Sequence, residues 1–298
     1  MTKRAPSPPS TAAGHRKALV DLLRKNADQH QLWTVWADFV EMAAIAISNR
    51  VDLRAAEQRE ARYLAIAGRY KPEQLERFGQ ALGALALALD AEPSDVLGET
   101  FMALELGSKW AGQFFTPFSL CRLMAAVQVD DLAEVIQRRG HVTANDPAVG
   151  AGATLIALAV ELRDRGINYQ QKLHVTGQDV DARAAHMAYV QLSLLHVPAI
   201  VIVGDTLRSP GQGAHWYTPA HVLGGWSRRL RGERHVVDAL HELAAAVAGG
   251  ADGATETAPA APPATADATV TMTASGQLEM AWAVPAAATH RRGRRRAA

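Results

Sequence analysis

The sequence has little cysteine, no long apolar run and almost no surplus of charge. Cys121 is the single cysteine among 298 residues, which excludes an internal disulfide and a zinc site built from several cysteines. The longest run of apolar residues and glycine covers about nine positions (81–89), far short of the roughly 20 that a transmembrane helix needs. The first residues lack the apolar stretch of a signal peptide. We therefore expect a soluble cytoplasmic protein without a membrane segment.

The net charge of +1 hides an uneven distribution. Residues 290–298 contain five arginines and no acid, and residues 1–17 contain four basic residues and no acid. These nine basic residues leave 22 basic against 30 acidic residues in 18–289, so the body carries about −8. A basic tail attracts polyanions through counterion release, although a solvated terminus with no ligand has the same composition.

The first part of the chain has the apolar spacing of helices. Residues 1–14 are rich in proline, serine and alanine, which predicts a disordered tail. Trp33, Trp36 and Phe39 lie on one helical face, and Pro72 is placed as the first residue of a helix. We predict a helical N-terminal region at 15–107, with helices at 15–29, 32–48, 55–70, 72–90 and from 93 to about 107.

Strands alternate with helices after residue 107. This order predicts an α/β fold, a truncated Rossmann-like domain at 108–248 with a parallel sheet. The expected strands are 141–146, 172–178 and 199–203, and the expected helices are 118–128, 153–165, 181–195 and 233–248. Glycine and proline predict a loop at 206–226.

The C-terminal part has a different composition. Residues 249–268 are predicted to be a linker, 269–284 a β-hairpin, and 285–298 a basic disordered tail. Three parallel strands leave an open sheet edge. We therefore predict that the hairpin pairs beside the 141–146 strand.

Three predicted strands end in segments that suit a ligand. NDPAVGAGAT (145–154) lies between a strand and a helix, where Gly150 and Gly152 allow close approach of the backbone. GQD (177–179) and GDT (204–206) end the next two strands. Because the carboxyl ends of parallel strands share one edge, these segments converge there. Each has a plainer alternative: a tight turn at 150–152, a capping role for Asp181 beside Asp179, and a strand end at Asp205.

These segments and GQFFTP (112–117) occur in the order found in a known family. Together they resemble the N6-adenine DNA methyltransferase family, particularly the modification subunit of type I restriction-modification systems. In that family a helical region precedes a Rossmann-like domain that binds S-adenosylmethionine (SAM). DPAVGAGAT departs from the family pattern at Val149 and Ala151, which replace the usual cysteine and serine.

The resemblance assigns roles to individual residues. The residues that it implies hold the methionine part of SAM and form the turn beneath it are Phe115, Thr116, Pro117, Asp146, Pro147, Gly150 and Gly152. By the same similarity Asp179 takes the ribose and Asp205 the adenine of SAM.

The family's acceptor for the target base is missing. That motif is Asn, Asp or Ser followed by Pro-Pro and an aromatic residue, but the Pro-Pro pairs here (8–9 and 262–263) have no aromatic residue after them. Trp216 and Tyr217 are substitute candidates for stacking on a flipped base. The alternative is a surface loop anchored by buried aromatics. Catalysis is therefore left open, and no histidine spacing predicts a metal site.

Two functions follow from the resemblance. The first is an adenine-specific DNA methyltransferase that transfers the methyl group of SAM to adenine N6, with DNA as substrate and a specificity subunit as partner. The second is a catalytically inactive SAM- or DNA-binding relative with a regulatory or anti-restriction role. Neither function requires a membrane or a metal.

Overall fold

The N-terminal region is helical. The structure, a computed structural model, describes residues 11–106, 115–232, 269–272 and 277–281. The helices of the first range are α1 (Ala12–Asn26), α2 (Leu32–Ser48), α3 (Ala56–Ala67), α4 (Pro72–Ala91) and α5 (Val96–Ala103), with a 3₁₀ turn at Leu53–Ala55. The Thr11 hydroxyl caps α1 by accepting from the Gly14 N–H at 3.1 Å. Because of this cap the helix begins at Ala12, three residues before the predicted start at 15.

Helix α2 is the centre of the helical region. Trp36, Phe39 and Val40 are buried in it, and α2 packs against α3 and against a later helix of the α/β part. Helices α1 and α4 pack together on its flank through Leu19 and Leu85. The same apolar cluster continues through the α/β part, so the two regions share one continuous core.

The α/β part has the predicted alternation of strands and helices. Its elements are α6 (Phe118–Arg139), β1 (Val142–Asp146), α7 (Ala153–Asp164), α8 (Tyr169–Lys172), β2 (Leu173–Asp179), α9 (Ala182–Leu194), β3 (Ala199–Val203), β4 (Ala214–Tyr217), α10 (Pro219–Leu223), β5 (Thr269–Met272) and β6 (Gln277–Ala281). The sheet order is β4-β3-β2-β1-β6-β5. Strands β1, β2 and β3 are parallel, with Asp146 opposite Gly177 and Asp179 opposite Val203.

The C-terminal hairpin lies where it was predicted. Strand β6 pairs in parallel with β1, from Thr143 opposite Gln277 to Asn145 opposite Glu279, and β5 pairs antiparallel with β6. The hairpin therefore covers the β1 edge of the parallel strands, which would otherwise present unpaired backbone groups.

Two predictions are corrected by the structure. The segment 206–226 is not all loop, because it contains β4 and α10, and β4 pairs antiparallel with β3. Helix α6 runs 11 residues beyond the expected end at 128, since Val129, Leu132 and Ile136 continue its buried face. It ends at Gly140, whose φ of 86° is left-handed.

Several predictions lie outside the described residues. They are the first ten residues of the N-terminal tail, the 233–248 helix, the 249–268 linker and the 285–298 basic tail. Gly112, Gln113 and Phe114 of the GQFFTP segment are outside as well.

Candidate cofactor-binding site

The predicted site residues meet at one edge of the sheet. Asp146 ends β1, Asp179 ends β2, and Gly204 and Asp205 follow β3. Because the three strands are parallel, these residues lie at the same carboxyl edge.

The glycine segment folds over the end of β2. The Val149 N–H donates to the Gln178 carbonyl at 2.9 Å, and the Gly152 N–H donates to the Val149 carbonyl at 2.8 Å. Gly150 and Gly152 have φ values of 54° and 95°, in the left-handed region that side chains disfavour. A Cβ on Gly150 would stand 3.2 Å from the Phe115 ring. The segment therefore needs glycine at 150 for both conformation and space.

Gly177 is a contributor that the sequence reasoning did not single out. A Cβ at this position would come within 2.7 Å of the Val149 Cγ2. Val149, which departs from the family pattern, is buried in the space left by Gly177. The sequence feature that belongs to this fit is the replacement of the family's usual cysteine by Val149 together with a glycine at 177.

Asp146 stabilises the turn from inside. Its Oδ1 accepts from the Ala148 N–H at 3.1 Å, and its Oδ2 accepts from the Thr154 hydroxyl. The side chain is buried, which raises its pKa, while both hydrogen bonds act against that rise. Asp146 thereby ties the end of β1 to the first turn of α7.

Asp179 is held by the backbone on both sides. Its Oδ2 accepts from the Gly150 N–H and its Oδ1 from the Asp181 N–H, each at 2.9 Å. Burial raises the pKa of Asp179, and these two N–H groups oppose the rise. Asp181 caps α9 through the Arg183 N–H at 2.9 Å, the alternative left open by the sequence. Asp179 is thus the carboxylate of this pair that borders the cavity.

A cavity of about 190 Å³ lies between these segments. Its lining residues are Phe115, Thr116, Asp146, Ala148, Val149, Gly150, Ala151, Ala153, Thr154, Asp179 and Ala184. Two of them are carboxylates and none is lysine or arginine, so the described lining is electronegative. The volume is below the ~300 Å³ of pockets that enclose a drug-sized ligand, so a larger ligand must extend along the sheet edge.

The other predicted ligand residues stand around this cavity. Pro117 precedes α6 as its N-cap, and Gly152 precedes α7. The carbonyl of Pro147 accepts from the Thr206 hydroxyl at 2.7 Å, which joins the glycine segment to the turn after β3. Asp205 is not part of the cavity lining. Its Oδ1 instead caps the turn after β3 by accepting from the Leu207 N–H at 3.0 Å.

Trp216 and Tyr217 lie away from the cavity. Trp216 is buried, with its ring 4.8 Å from His186 and 4.2 Å from the Arg59 guanidinium. Tyr217 stands opposite Ile200, toward the amino end of β3, whereas the cavity is at the carboxyl ends. The structure therefore does not bring these two candidates together with the predicted ligand residues.

The described residues offer neither a metal site nor a membrane helix. Within them, no group of three or more histidine, cysteine or acidic side chains is placed to hold a metal ion. None of the helices that the structure describes is long and apolar enough to cross a membrane.

Part of the chain matches the model of a known protein family. Residues 99–223 match the model of the family described as N-6 DNA Methylase. This range begins in α5 and ends with α10, so it includes the whole cavity lining. No curated protein matches the chain.

Several solved structures are similar at low identity. A protein described as a class I S-adenosylmethionine-dependent methyltransferase of Listeria monocytogenes is 19% identical, with a TM-score of 0.35 over 65% of this chain and 54% of that one. The methyltransferase subunit of a type I restriction-modification system of Streptococcus thermophilus is 15% identical, with a TM-score of 0.38 over 68% and 61%. The DrdV–DNA complex is 16% identical, with a TM-score of 0.32 over 70% and 22%.

The chain therefore spans between about a fifth and three fifths of the structures it resembles. Similarities of this size transfer neither a substrate nor a partner to it.

Proposed function

We propose that this chain is a member of the N-6 DNA methylase family, whose model matches residues 99–223, and that it binds SAM and methylates adenine N6 in DNA. The observation that carries the proposal is the electronegative cavity between the glycine segment and Asp179. A partner protein supplies recognition of the DNA target.

The charge of the cavity suits SAM better than a dinucleotide. SAM carries a sulfonium and an ammonium cation, and the carboxylates of Asp146 and Asp179 border the cavity. A dinucleotide brings a pyrophosphate, which these carboxylates repel and which no basic side chain of the described lining neutralises. Ala153, the first residue of α7, also lines the cavity, and the helix terminus there suits the carboxylate of the methionine part.

The proposal assigns residues to the parts of SAM in the order that the resemblance implies. Phe115, Thr116 and Gly150 border the space for the methionine part, where a Cβ at 150 would intrude. Asp179 stands at the end of β2, where its free lone pairs accept from the ribose hydroxyls. Asp205 reaches the adenine only if SAM extends past the lining to the turn after β3.

Bound SAM supplies a methyl group on a positively charged sulfur. This methyl group would pass to adenine N6, which would leave S-adenosylhomocysteine as the second product and release the N6 proton to water. The contribution of this chain would be to hold the sulfonium against the carboxylates of Asp146 and Asp179, with Phe115 covering the glycine segment.

The missing acceptor motif supports a second candidate. The sequence has no Pro-Pro-aromatic segment, and neither Trp216 nor Tyr217 borders the cavity. A catalytically inactive relative that binds SAM or DNA, with a regulatory or anti-restriction role, retains the cavity without the acceptor.

Calorimetric titration with SAM tests the shared premise. The wild-type protein is expected to bind SAM, and Asp179→Ala to lose binding because the ribose acceptor and the support of Gly150 are removed together. Asp164→Ala is the matched control, since it removes a carboxylate from the surface of α7 that pairs with Arg163 and Arg122. A wild-type protein that shows no heat with SAM contradicts the proposal.

Transfer of a tritiated methyl group to unmethylated DNA separates the two candidates. Transfer above the Asp179→Ala background identifies a methyltransferase. SAM binding without transfer, also in the presence of partner subunits, favours the inactive relative. Full activity of the Trp216→Ala/Tyr217→Ala double variant would exclude these residues as base-stacking groups.

A further inference from the structure

Helix α5 of the N-terminal region reaches both walls of the cavity. We propose that Phe101 on this helix is a positioning residue for SAM, acting through Phe115, and that the helical region thereby sets the shape of the SAM pocket. This inference rests on the proposed SAM binding, and it assigns a role to residues outside the recognised motifs.

An aromatic stack connects α2 to the cavity. The ring of Phe101 is 5.8 Å from both Trp33 and Trp36 on α2, in edge-on and tilted contacts. On its other side, Phe101 meets the ring of Phe115 edge to face at 5.4 Å and 79°. Phe101 and Trp36 are buried, so the stack is part of the packed core.

Phe115 is held between this stack and the glycine segment. Two of its ring carbons lie 3.2 and 3.3 Å from the place where a Cβ on Gly150 would stand. Since Phe115 and Gly150 both line the cavity, a shift of the Phe115 ring changes the width of the space for the methionine part. Phe101 is the contact that prevents this shift from the side of the helical region.

The amino end of the same helix contacts the glycine segment through Gln191. Gln191 of α9 is fully buried, and its Nε2 donates to the Ala151 carbonyl at 2.8 Å and to Asp95 Oδ1 at 2.9 Å. Its Oε1 accepts from the Leu97 N–H of α5 at 2.9 Å. Asp95 is also the N-cap of α5, where it accepts from the Gly98 N–H at 2.8 Å. Ala151 is a member of the cavity lining, so α5 contacts the glycine segment through an amide as well as through aromatic rings.

The two contacts connect α5 to Phe115 and to the glycine segment, which both line the cavity. Truncation of Phe101 leaves a void beneath Phe115, and the ring is then free to turn into it. SAM must then order the Phe115 ring when it binds, and this ordering costs free energy. The affinity for SAM therefore falls by more than the loss of protein stability alone predicts. We expect Phe101→Ala to weaken SAM binding at least tenfold.

The test compares affinity with stability in four variants of the full-length chain. Phe101→Ala and Phe78→Ala both truncate a buried phenylalanine of the helical region, but Phe78 packs on Phe39 and Tyr70, at 6.0 and 4.9 Å, and not on the cavity. Phe101→Leu restores most of the volume. Gln191→Met keeps the length of the side chain but removes the hydrogen bonds to Ala151 and α5.

Melting temperature and the calorimetric Kd for SAM are measured for each variant. We expect both alanine variants to lose stability, Phe101→Ala alone to lose affinity, Phe101→Leu to recover it, and Gln191→Met to bind at least fivefold more weakly. Wild-type affinity in Phe101→Ala and Gln191→Met, or equal affinity losses in Phe101→Ala and Phe78→Ala, overturns the inference.

If the proposed function is wrong, the wild-type protein itself shows no SAM binding. If only the role of Phe101 is wrong, the wild-type protein still binds SAM. If Phe101→Ala does not fold, the comparison of Gln191→Met with the wild type still decides the matter.

Discussion

Gly150 combines a left-handed backbone conformation, a hydrogen bond to Asp179 and a position beside the space proposed for SAM. Its φ is 54°, its N–H donates to Asp179, and its missing side chain leaves room for the Phe115 ring. Valine at this position meets a conformational penalty of about 1–2 kcal/mol and a clash with the ring as well. We predict that Gly150→Val abolishes SAM binding in a calorimetric titration.

Gly166 provides the control for this substitution. Its φ is 73°, so valine is strained there too, but no atom lies within 4 Å of the added Cβ. Gly166→Val is expected to lower stability while leaving the affinity for SAM unchanged. Equal SAM affinity in the two variants would mean that the Phe115 contact has no part in the site.

A buried histidine pair makes stability depend on pH. His174 Nε2 and His221 Nδ1 are 2.8 Å apart, and His221 Nε2 is 2.9 Å from the Ser227 hydroxyl. Burial lowers the pKa of His174 to about 3, helped by repulsion from His221, and burial lowers that of His221 to about 4. The unfolded chain takes up protons near pH 6.5, so the stabilisation is present above that pH and is lost as the pH falls.

We predict that His221→Gln reduces this dependence. The free energy of unfolding of the wild type should drop between pH 7.5 and pH 5 by about 1–2 kcal/mol more than that of the variant, in urea titrations. The raised pKa values of Asp146 and Asp179 act in the opposite direction but are common to both proteins. An equal drop in both proteins would contradict the assignment.

At the residue scale the sequence was most informative about the glycine segment and the strand-end acids. Their roles depend on local chemistry, since a left-handed turn needs glycine and a strand end places a carboxylate at the sheet edge. Phe101 and Gln191 carried no such pattern. Their contacts join positions 14 and 40 residues apart along the chain, and spacing alone does not indicate them.

Among the elements, β4 depends most on a distant contact. Arg59 of α3 donates to the His215 carbonyl at 3.0 Å, and its guanidinium lies 4.2 Å from the Trp216 ring. The same side chain pairs with the buried Asp52 at 3.0 Å and donates to Ser48 at 2.7 Å. Helix α3 thereby covers the edge strand of the sheet.

We predict that Arg59→Met lowers the free energy of unfolding by about 3–5 kcal/mol, because Asp52 remains buried without its cation. Urea denaturation measures this loss, and hydrogen exchange should show faster opening of β4. Arg62→Met, on the same helix, removes a half-exposed pair with Glu41 and is expected to lower it by less than about 1 kcal/mol. Similar losses in the two variants would refute a special role for Arg59.

The prediction of a loop at 206–226 was wrong because strand β4 depends on contacts between residues that are far apart in the chain. Strand β4 has four residues, and Gly213 and Pro219 on either side of it indicate a loop. Its pairing is decided by the free edge of β3 and by Arg59, which is 156 residues from His215. Helix α6 illustrates the other limit, since its predicted end at 128 comes just before Val129 and Leu132, whose burial continues the helix.

For the whole molecule, charge separates the body from its ends. Residues 18–289 contain 30 acidic and 22 basic residues, whereas 290–298 contain five arginines. A DNA methyltransferase that acts alone is expected to have a basic groove on its body. Because the body is acidic, we expect contacts to DNA to be made by the basic ends or by a partner.

We predict that deletion of 290–298 weakens nonspecific binding to DNA. The slope of log Kobs against log salt concentration should become shallower by about four to five units, as for five phosphate contacts, in fluorescence anisotropy titrations. Replacement of the five arginines by lysine keeps the charge and should keep the slope. An unchanged slope after deletion would show that these residues do not contact DNA.

The sequence by itself determined the alternation of β1, β2 and β3 with helices, the resemblance to a family and the acids at the strand ends, because these follow from periodicity and from motifs contiguous in the chain. Only the tertiary structure decided that β4 closes one side of the sheet and that α5 reaches the cavity from the helical region. These arrangements join residues far apart in the chain, and the packing of one continuous core selects them.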